Sequence, residues 1–173
     1  MSWIYGNLMY TGYAAFNGPF VIRYPRGKGE MKDWRNEMQV LPIGKGKKLR
    51  DGDDIAVLSI GPIGNEVIKA IEMVKEEGVS IAHYDMIYLK PLDEELLHEI
   101  GRKYNRIITV ENGVIKGGFG SAVLEFMADN GYTPHVKRIG VPDAFIEHGS
   151  IPELYQLCGM DAESIAKQLK KEN

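Results

Sequence analysis

The chain has 173 residues, with 21 Lys and Arg against 24 Asp and Glu and a formal net charge of -3, a size that holds one domain or one domain with a piece of another. So even a charge balance supplies no basic field for phosphate backbones and no acidic excess of the sort that keeps chains disordered, which sets nucleic-acid binding aside. Cys158 is the single cysteine, and neither a basic leader with an apolar core nor a long apolar run is present, so the sequence reads as a soluble chain of a reducing compartment, the cytoplasm, with no membrane role.

Residues 1 to 18 carry Trp3, Ile4, Tyr5, Leu8, Met9, Tyr10, Tyr13, Ala14 and Phe16, a spacing that predicts a short helix interrupted by Gly6 and Gly12. Asn17-Gly18-Pro19 ends it. Phe20 to Tyr24 reads as a short strand closed by Pro25, and the polar stretch Arg26 to Asn36 as a linker. A second unit begins near Gln39. Val40 to Leu49 and Ile55 to Ile60 flank Arg50-Asp51-Gly52-Asp53-Asp54, whose turn chemistry predicts a hairpin with the two strands paired antiparallel. After Gly61-Pro62, Val67, Ile68, Ile71 and Val74 recur at helical intervals up to a stop at Gly78.

The alternation then repeats. Val79 to Tyr84 reads as a strand, followed by a helix from Pro91 whose buried stripe is Leu92, Leu96, Leu97 and Ile100. Arg106 to Val110 is the next strand, the group Gly117-Gly118-Phe119-Gly120 turns the chain, and Ala122, Val123, Phe126 and Met127 line a helix ending at Gly131. His135 to Ile139 makes the last strand. Ser150-Ile151-Pro152-Glu153 has the form of a capping box, and Asp161 caps a final helix bearing Ile165 and Leu169. The fold class expected is α/β, a three-layer domain with a mostly parallel five-stranded sheet and one antiparallel edge strand.

Candidate chemistry is sparse. His83, His98, His135 and His148 share no metal-ligand spacing, Ser59, Ser121 and Ser150 lack a nucleophile elbow, and Cys158 beside Leu157 and Gly159 reads as a structural thiol. The Gly117–Gly120 group, between a strand and a helix, has the make-up of an anion cradle, but lacks a third suitably spaced glycine and an acidic ribose partner; chain turning is its favoured role. Glu111, Asp85 and Asp143 stand at strand ends, where open α/β sheets place functional groups; bonding to loop amides or to a neighbouring subunit explains each of them as well. Arg23 and Arg26 flank the rigid turn at Tyr24-Pro25 and suit two-point contact with phosphate or carboxylate oxygens.

Several segments, in order, carry a resemblance: Gly18-Pro19-Phe20-Val21-Ile22-Arg23-Tyr24-Pro25-Arg26-Gly27, Leu41-Pro42-Ile43-Gly44-Lys45-Gly46, Lys90-Pro91-Leu92-Asp93, Gly117 to Glu125, Ile139 to Asp143 and Phe145 to Ser150. Together they resemble the 1-deoxy-D-xylulose-5-phosphate synthase family from about Asn7 to the C-terminus. A transketolase or the β subunit of a 2-oxoacid dehydrogenase would share the architecture but not the combination of Tyr24-Pro25-Arg26-Gly27 with Lys90-Pro91-Leu92-Asp93.

The resemblance implies a parent homodimer dependent on thiamine diphosphate and Mg²⁺. It condenses pyruvate with glyceraldehyde 3-phosphate, loses carbon dioxide, and supplies isoprenoid precursor synthesis by the non-mevalonate route as well as thiamine synthesis. Residues 1–36 then correspond to a remnant of the pyrimidine-binding domain with its linker, and residues 37–173 to the transketolase C-terminal domain. The activating glutamate and the metal-diphosphate motif fall outside this sequence, so no cofactor and no turnover are expected of the fragment alone, which would act at most in subunit packing. By the same resemblance Arg26, with Arg23 beside it, contacts the substrate phosphate. Two departures stand out: the family's paired glutamates become Glu111 and Asn112, and an arginine before its Phe-Val-Lys-Pro segment becomes Ile87. Cut from its sheet, the 1–36 piece is expected to be disordered or to pair with another chain.

Overall fold

A computed structural model describes residues 2–24 and 37–170 of the chain. Among them five strands, β1 (Lys47–Arg50), β2 (Ile55–Ile60), β3 (Ile81–Asp85), β4 (Arg106–Val114) and β5 (His135–Val141), form one sheet in the order β1-β3-β2-β4-β5. β2 runs parallel to β3 and β4, and β4 parallel to β5, while β1 alone is antiparallel, against β3. The helices are α1 (Ser2–Ala14), α2 (Gly64–Met73), α3 (Glu94–Lys103), α4 (Phe119–Asp129), α5 (Ile151–Leu157) and α6 (Ala162–Leu169).

Burial explains the strand order. Ile55 to Ser59 are buried without alternation, because helices cover both faces of a central parallel strand. On one face Ile55, Val57, Ile81, Ile108 and Val110 meet Val67, Ala70 and Ile71 of α2 and Ile165, Ala166 and Leu169 of α6. On the other, Ala56, Leu58, Ala82 and Ile107 meet Leu97 and Ile100 of α3 and Phe119, Val123 and Met127 of α4. This is the three-layer arrangement expected. Ile165 and Leu169 are fully buried, and truncating either to alanine would cost about 2–5 kcal/mol.

The expected hairpin is not formed. Lys47 pairs with Asp85 and Lys48 with Tyr84, so β1 lies on the far side of β3 from β2. A strand reading Lys-Lys-Leu-Arg with three exposed residues belongs at an edge, since burying its lysines beside β2 would strip them of water. The connection from β1 to β2 passes over the start of β3. Gly52 lies so close there that a Cβ would collide with the backbone of Ile81 and Ala82, while the Asp54 amide donates to the Ser80 carbonyl at 2.8 Å.

The local stop and start signals act as read. Gly78 and Gly131 take left-handed φ values of 71° and 72° after their helices, Ser150 and Glu153 make the reciprocal capping box, and Asp161 accepts from the Ser164 amide at 3.0 Å. α3 starts at Glu94 rather than at Pro91, because Asp93 is its N-cap and accepts from the Leu96 amide at 3.2 Å.

Before the sheet, α1 runs without the interruption expected at Gly6 and Gly12. Gly12 is instead a contact point, where a Cβ would come within 2.7 Å of the Phe20 ring. Asn7 and Thr11, both buried and one turn apart, hold the following segment. Asn7 Oδ1 accepts from the Gln39 amide at 3.0 Å and Thr11 Oγ1 from the Leu41 amide at 2.8 Å. Phe20 to Tyr24 form no strand; they have no ladder partner among the described residues, and Val21 is 92% exposed. The linker expected over Arg26 to Asn36 lies outside the described residues.

Candidate functional site

Because β2, β3, β4 and β5 run parallel, their carboxyl ends share one edge of the sheet, and Asp85, Glu111 and Asn112 collect there. Such edges are where open α/β sheets receive ligands.

Glu111 is buried, and its carboxylate accepts from two amides at the start of α4, Phe119 through Oε2 and Gly120 through Oε1, each at 2.9 Å. It thereby satisfies two orphan donors and places a negative charge at the positive end of the helix. The surrounding glycines make room for it. A Cβ at Gly113 would stand 2.5 Å from Glu111 Oε2, one at Gly140 3.1 Å from its Cγ, and one at Gly118 would overlap the carboxylate outright. The anion cradle suggested by Gly117–Gly120 is thus filled by the chain's own side chain. An incoming phosphate would meet that carboxylate instead of free amides.

Asp85 is buried at the end of β3, and desolvation pushes its carboxyl up to about 6, opposed by the Ile87 amide, which donates to Oδ1 at 3.2 Å. Ile87 is the one non-glycine with positive φ among the described residues, at 55°, an expensive conformation for a β-branched side chain. Two residues before Asp85 on the same strand face, His83 is buried and hydrogen-bonded through Nε2 to Ser59 Oγ at 2.8 Å. Burial lowers its imidazole to about 4, so it is neutral near pH 7. With both Ser59 and His83 closed from solvent, the pair is a core hydrogen bond and offers no accessible nucleophile. Asp143 is exposed and ion-paired with Lys116 at 2.9 Å. Cys158 follows α5, where burial raises its thiol, which makes it a poor nucleophile at neutral pH.

Two of the sequence segments prove to be structural partners. Asp93, at the end of Lys90-Pro91-Leu92-Asp93, accepts from the Gly46 amide at 2.9 Å and faces Lys45 Nζ at 3.4 Å. Gly44 is held so near Pro91 that a Cβ would come within 2.8 Å of its Cγ. The two segments thus pack one loop on the other.

The contact that sequence reasoning missed runs from Arg23 into the sheet. Its Nη2 donates to the Asn112 main-chain oxygen at 2.8 Å, and Asn112 Nδ2 in turn donates to the Tyr155 hydroxyl at 2.6 Å. Arg23 is thereby held at the carboxyl edge, exposed, with most of its five N–H donors unpaired among the described residues. Nothing in sequence spacing links positions 23, 112 and 155. Arg26 lies outside the described residues.

Thiamine diphosphate and Mg²⁺, implied by the resemblance, do not fit the Gly117–Gly120 turn at this edge, whose helix amides are already bonded to the Glu111 carboxylate. Among the described residues no group of three His, Cys, Asp or Glu side chains is placed to hold a metal ion, and no helix is long and apolar enough to cross a membrane.

Comparison with known proteins accounts for this architecture. Residues 44–165 match the family described as transketolase, C-terminal domain. The chain is 98% identical over 167 residues to the 1-deoxy-D-xylulose-5-phosphate synthase of Parabacteroides distasonis, covering 96% of this chain and 26% of that protein. It is 61% identical over 166 residues to the synthase of Bacteroides thetaiotaomicron, covering 95% of this chain and 26% of that one. A solved structure described as a split gene transketolase, inactive beta4 tetramer, superposes with a TM-score of 0.68 at 31% identity, covering 77% of this chain and 45% of that one. The chain belongs to the transketolase C-terminal domain family, as a C-terminal portion spanning about a quarter of the length of the synthases to which it is similar.

Proposed function

We propose that this chain is the C-terminal part of a thiamine-diphosphate-dependent transferase of the cytoplasm. The whole enzyme, a homodimer using Mg²⁺, joins pyruvate to glyceraldehyde 3-phosphate with loss of carbon dioxide to give 1-deoxy-D-xylulose 5-phosphate. The observation that carries this reading is the 98% identity over nearly all of the chain to a protein of that name, about four times as long. When bound, thiamine diphosphate supplies the electron sink for the decarboxylation, and the remaining three-quarters of the protein holds it. Residues 1–36 belong to the preceding pyrimidine-binding domain and residues 37–173 form the C-terminal one.

This part contributes position and charge. Arg23 and Arg26 stand on either side of Tyr24-Pro25 in the sequence, and both guanidiniums serve the phosphate of the aldehyde substrate. Planar donors of fixed charge suit a phosphate, and the place of Arg23 at the carboxyl edge of the sheet supports its share of that role. The isolated chain turns nothing over. Titration calorimetry with thiamine diphosphate and Mg²⁺, followed by an assay with both substrates, is expected to give neither binding nor product; stoichiometric binding with product formation would refute the inactive fragment.

A subunit-packing role without chemistry is the second reading, favoured by the aromatic and apolar side chains that α1 and the segment after it leave in solvent, with Tyr13 at 88% exposure and Tyr24 at 67%. The inactive tetramer named for the structural neighbour is in keeping with it. Sedimentation velocity decides the point, and a monomer at high concentration counts against it.

A further inference from the structure

The hydrogen bonds around Asn112 form a connected path from the protein core to Arg23. Tyr155 packs its ring against the apolar cluster beneath α2 and α6, so its hydroxyl has a fixed place. That hydroxyl accepts from Asn112 Nδ2 at 2.6 Å. Asn112 sits just past Glu111, whose carboxylate is locked to α4, so the backbone at this point is tied down from both sides. The Asn112 carbonyl then receives Arg23 Nη2 at 2.8 Å. Arg23 has no regular secondary structure of its own to hold it, since Phe20 to Tyr24 carry no ladder. Its neighbour Tyr24 rests against the Tyr5 ring of α1, and among the described residues the Asn112 carbonyl is the acceptor that ties Arg23 itself to the sheet. A further sign that the geometry serves Arg23 is the cost accepted at Asn112 itself: its Oδ1 is buried and has no hydrogen-bond partner among the described residues. A buried acceptor without a partner costs stability.

We infer that Asn112 and Tyr155 are positioning residues that hold the Arg23 guanidinium where it meets the phosphate of the aldehyde substrate. The inference rests on the phosphate role proposed above for Arg23. The two residues touch no reacting atom; they fix the carbonyl against which one edge of the guanidinium is braced, which leaves its other donors pre-oriented for a dianion. Pre-orientation shows in affinity for the group contacted, because each bond then forms with less loss of rotamer freedom. A residue of this kind affects KM for the phosphorylated substrate and leaves untouched a substrate that lacks the phosphate.

The test uses the full-length Parabacteroides distasonis synthase, with substitutions at the positions matching Arg23, Asn112 and Tyr155 in this chain. KM and kcat are measured with glyceraldehyde 3-phosphate and with unphosphorylated glyceraldehyde, and thermal melts confirm that each variant is folded. Tyr155→Phe keeps the ring in the core and removes only the acceptor; Asn112→Ala keeps the main-chain carbonyl and removes its side-chain tether. Each is expected to raise KM for glyceraldehyde 3-phosphate by about 3- to 10-fold, the worth of one hydrogen bond, with kcat held and KM for glyceraldehyde unchanged. If Arg23→Ala raises the KM for the phosphorylated aldehyde while both other variants leave it unchanged, the positioning role is overturned. Equal losses with both aldehydes overturn it too, since they mark a purely structural defect. If Arg23→Ala itself leaves that KM unchanged, the phosphate role of Arg23 fails, and the inference falls with it.

Discussion

His83 and Asp85, two residues apart on one face of β3, are expected to pull the stability of this protein in opposite directions as pH falls. Desolvation alone lowers the His83 imidazole from its ordinary 6.5 to about 4. The unfolded chain therefore takes up that proton first, and stability is lost as pH drops from about 6.5 to about 4. Desolvation raises the Asp85 carboxyl from 3.8 to about 6, against the Ile87 amide and Lys47. Here the folded chain takes up the proton first, so stability is gained as pH drops from about 6 to about 4. With each pKa unit worth about 1.36 kcal/mol, both effects come to about 3 kcal/mol, and over the shared window they nearly cancel. Neither figure calls for a solvent discount, as His83 is 1% and Asp85 3% exposed.

Substitution separates the two. Asp85→Asn keeps an oxygen for the Ile87 amide and removes the titration, so it should be more stable than the parent at about pH 7 by up to about 3 kcal/mol, then lose that advantage steeply toward about pH 4. His83→Gln leaves Asp85 alone to titrate and should gain stability over the same descent. Urea unfolding followed by circular dichroism at several pH values between about 4 and 7, with each variant compared with the parent, removes the background from exposed carboxylates common to all. Parallel pH profiles for all three proteins would refute the argument, because they would mean that neither group changes its proton affinity on folding.

Glu111→Gln is expected to cost about 1.5–3 kcal/mol in the same unfolding experiment, since one α4 amide would face an NH₂ group in place of a charged oxygen; a loss below about 0.5 kcal/mol would mean that water already serves those amides. Thr11→Val leaves the Leu41 amide without its acceptor, so hydrogen exchange at Leu41 should speed up while β4 amides keep their protection. Gly52→Ala would force the β1–β2 connection off the backbone of Ile81 and Ala82 and should destabilise by more than about 3 kcal/mol, well beyond the usual effect of a loop substitution. Cys158, with its thiol raised by burial, should react with iodoacetamide more slowly in the native chain than in urea; equal rates would place it in open solvent.

Signals that act within a few residues were legible in the sequence. Ile55 to Ile60 was marked as a strand, Gly78 and Gly131 marked helix ends, and Ser150 with Glu153 marked a capping box. Partner choice was not legible. Arg50 to Asp54 has the turn residues of a hairpin, yet the open edge of β3 is where two lysines can stay wet, and that competition is settled by the assembled sheet rather than by the turn. The helix α1 likewise looked broken at two glycines, because nothing local announces that Phe20 will fill the gap at Gly12 or that Asn7 and Thr11 will bond to amides some thirty residues later.

The candidate site failed to show itself for a related reason: its decisive bonds join a side chain in one segment to the backbone of another. Glu111 could be placed at a strand end from sequence, but whether its carboxylate faced a ligand or the α4 amides depended on how Gly113, Gly118 and Gly140 came together around it. Main-chain acceptors such as the Asn112 carbonyl are present at every residue and so leave no mark in a sequence at all, although that carbonyl is where Arg23 meets the sheet. The proposed boundary near residue 36 is crossed by bonds of the same kind. Among the described residues the hydrogen bonds from residues 2–24 to the later domain are those of Asn7, Thr11 and Arg23, with no strand pairing. Polar contacts of that number contribute only a few kcal/mol in total, so α1 should unfold at lower denaturant than the sheet in the isolated chain. A single transition, coincident for Tyr5 and Tyr10 in α1 and for the β4 amides, would instead make residues 2–24 part of the C-terminal folding unit.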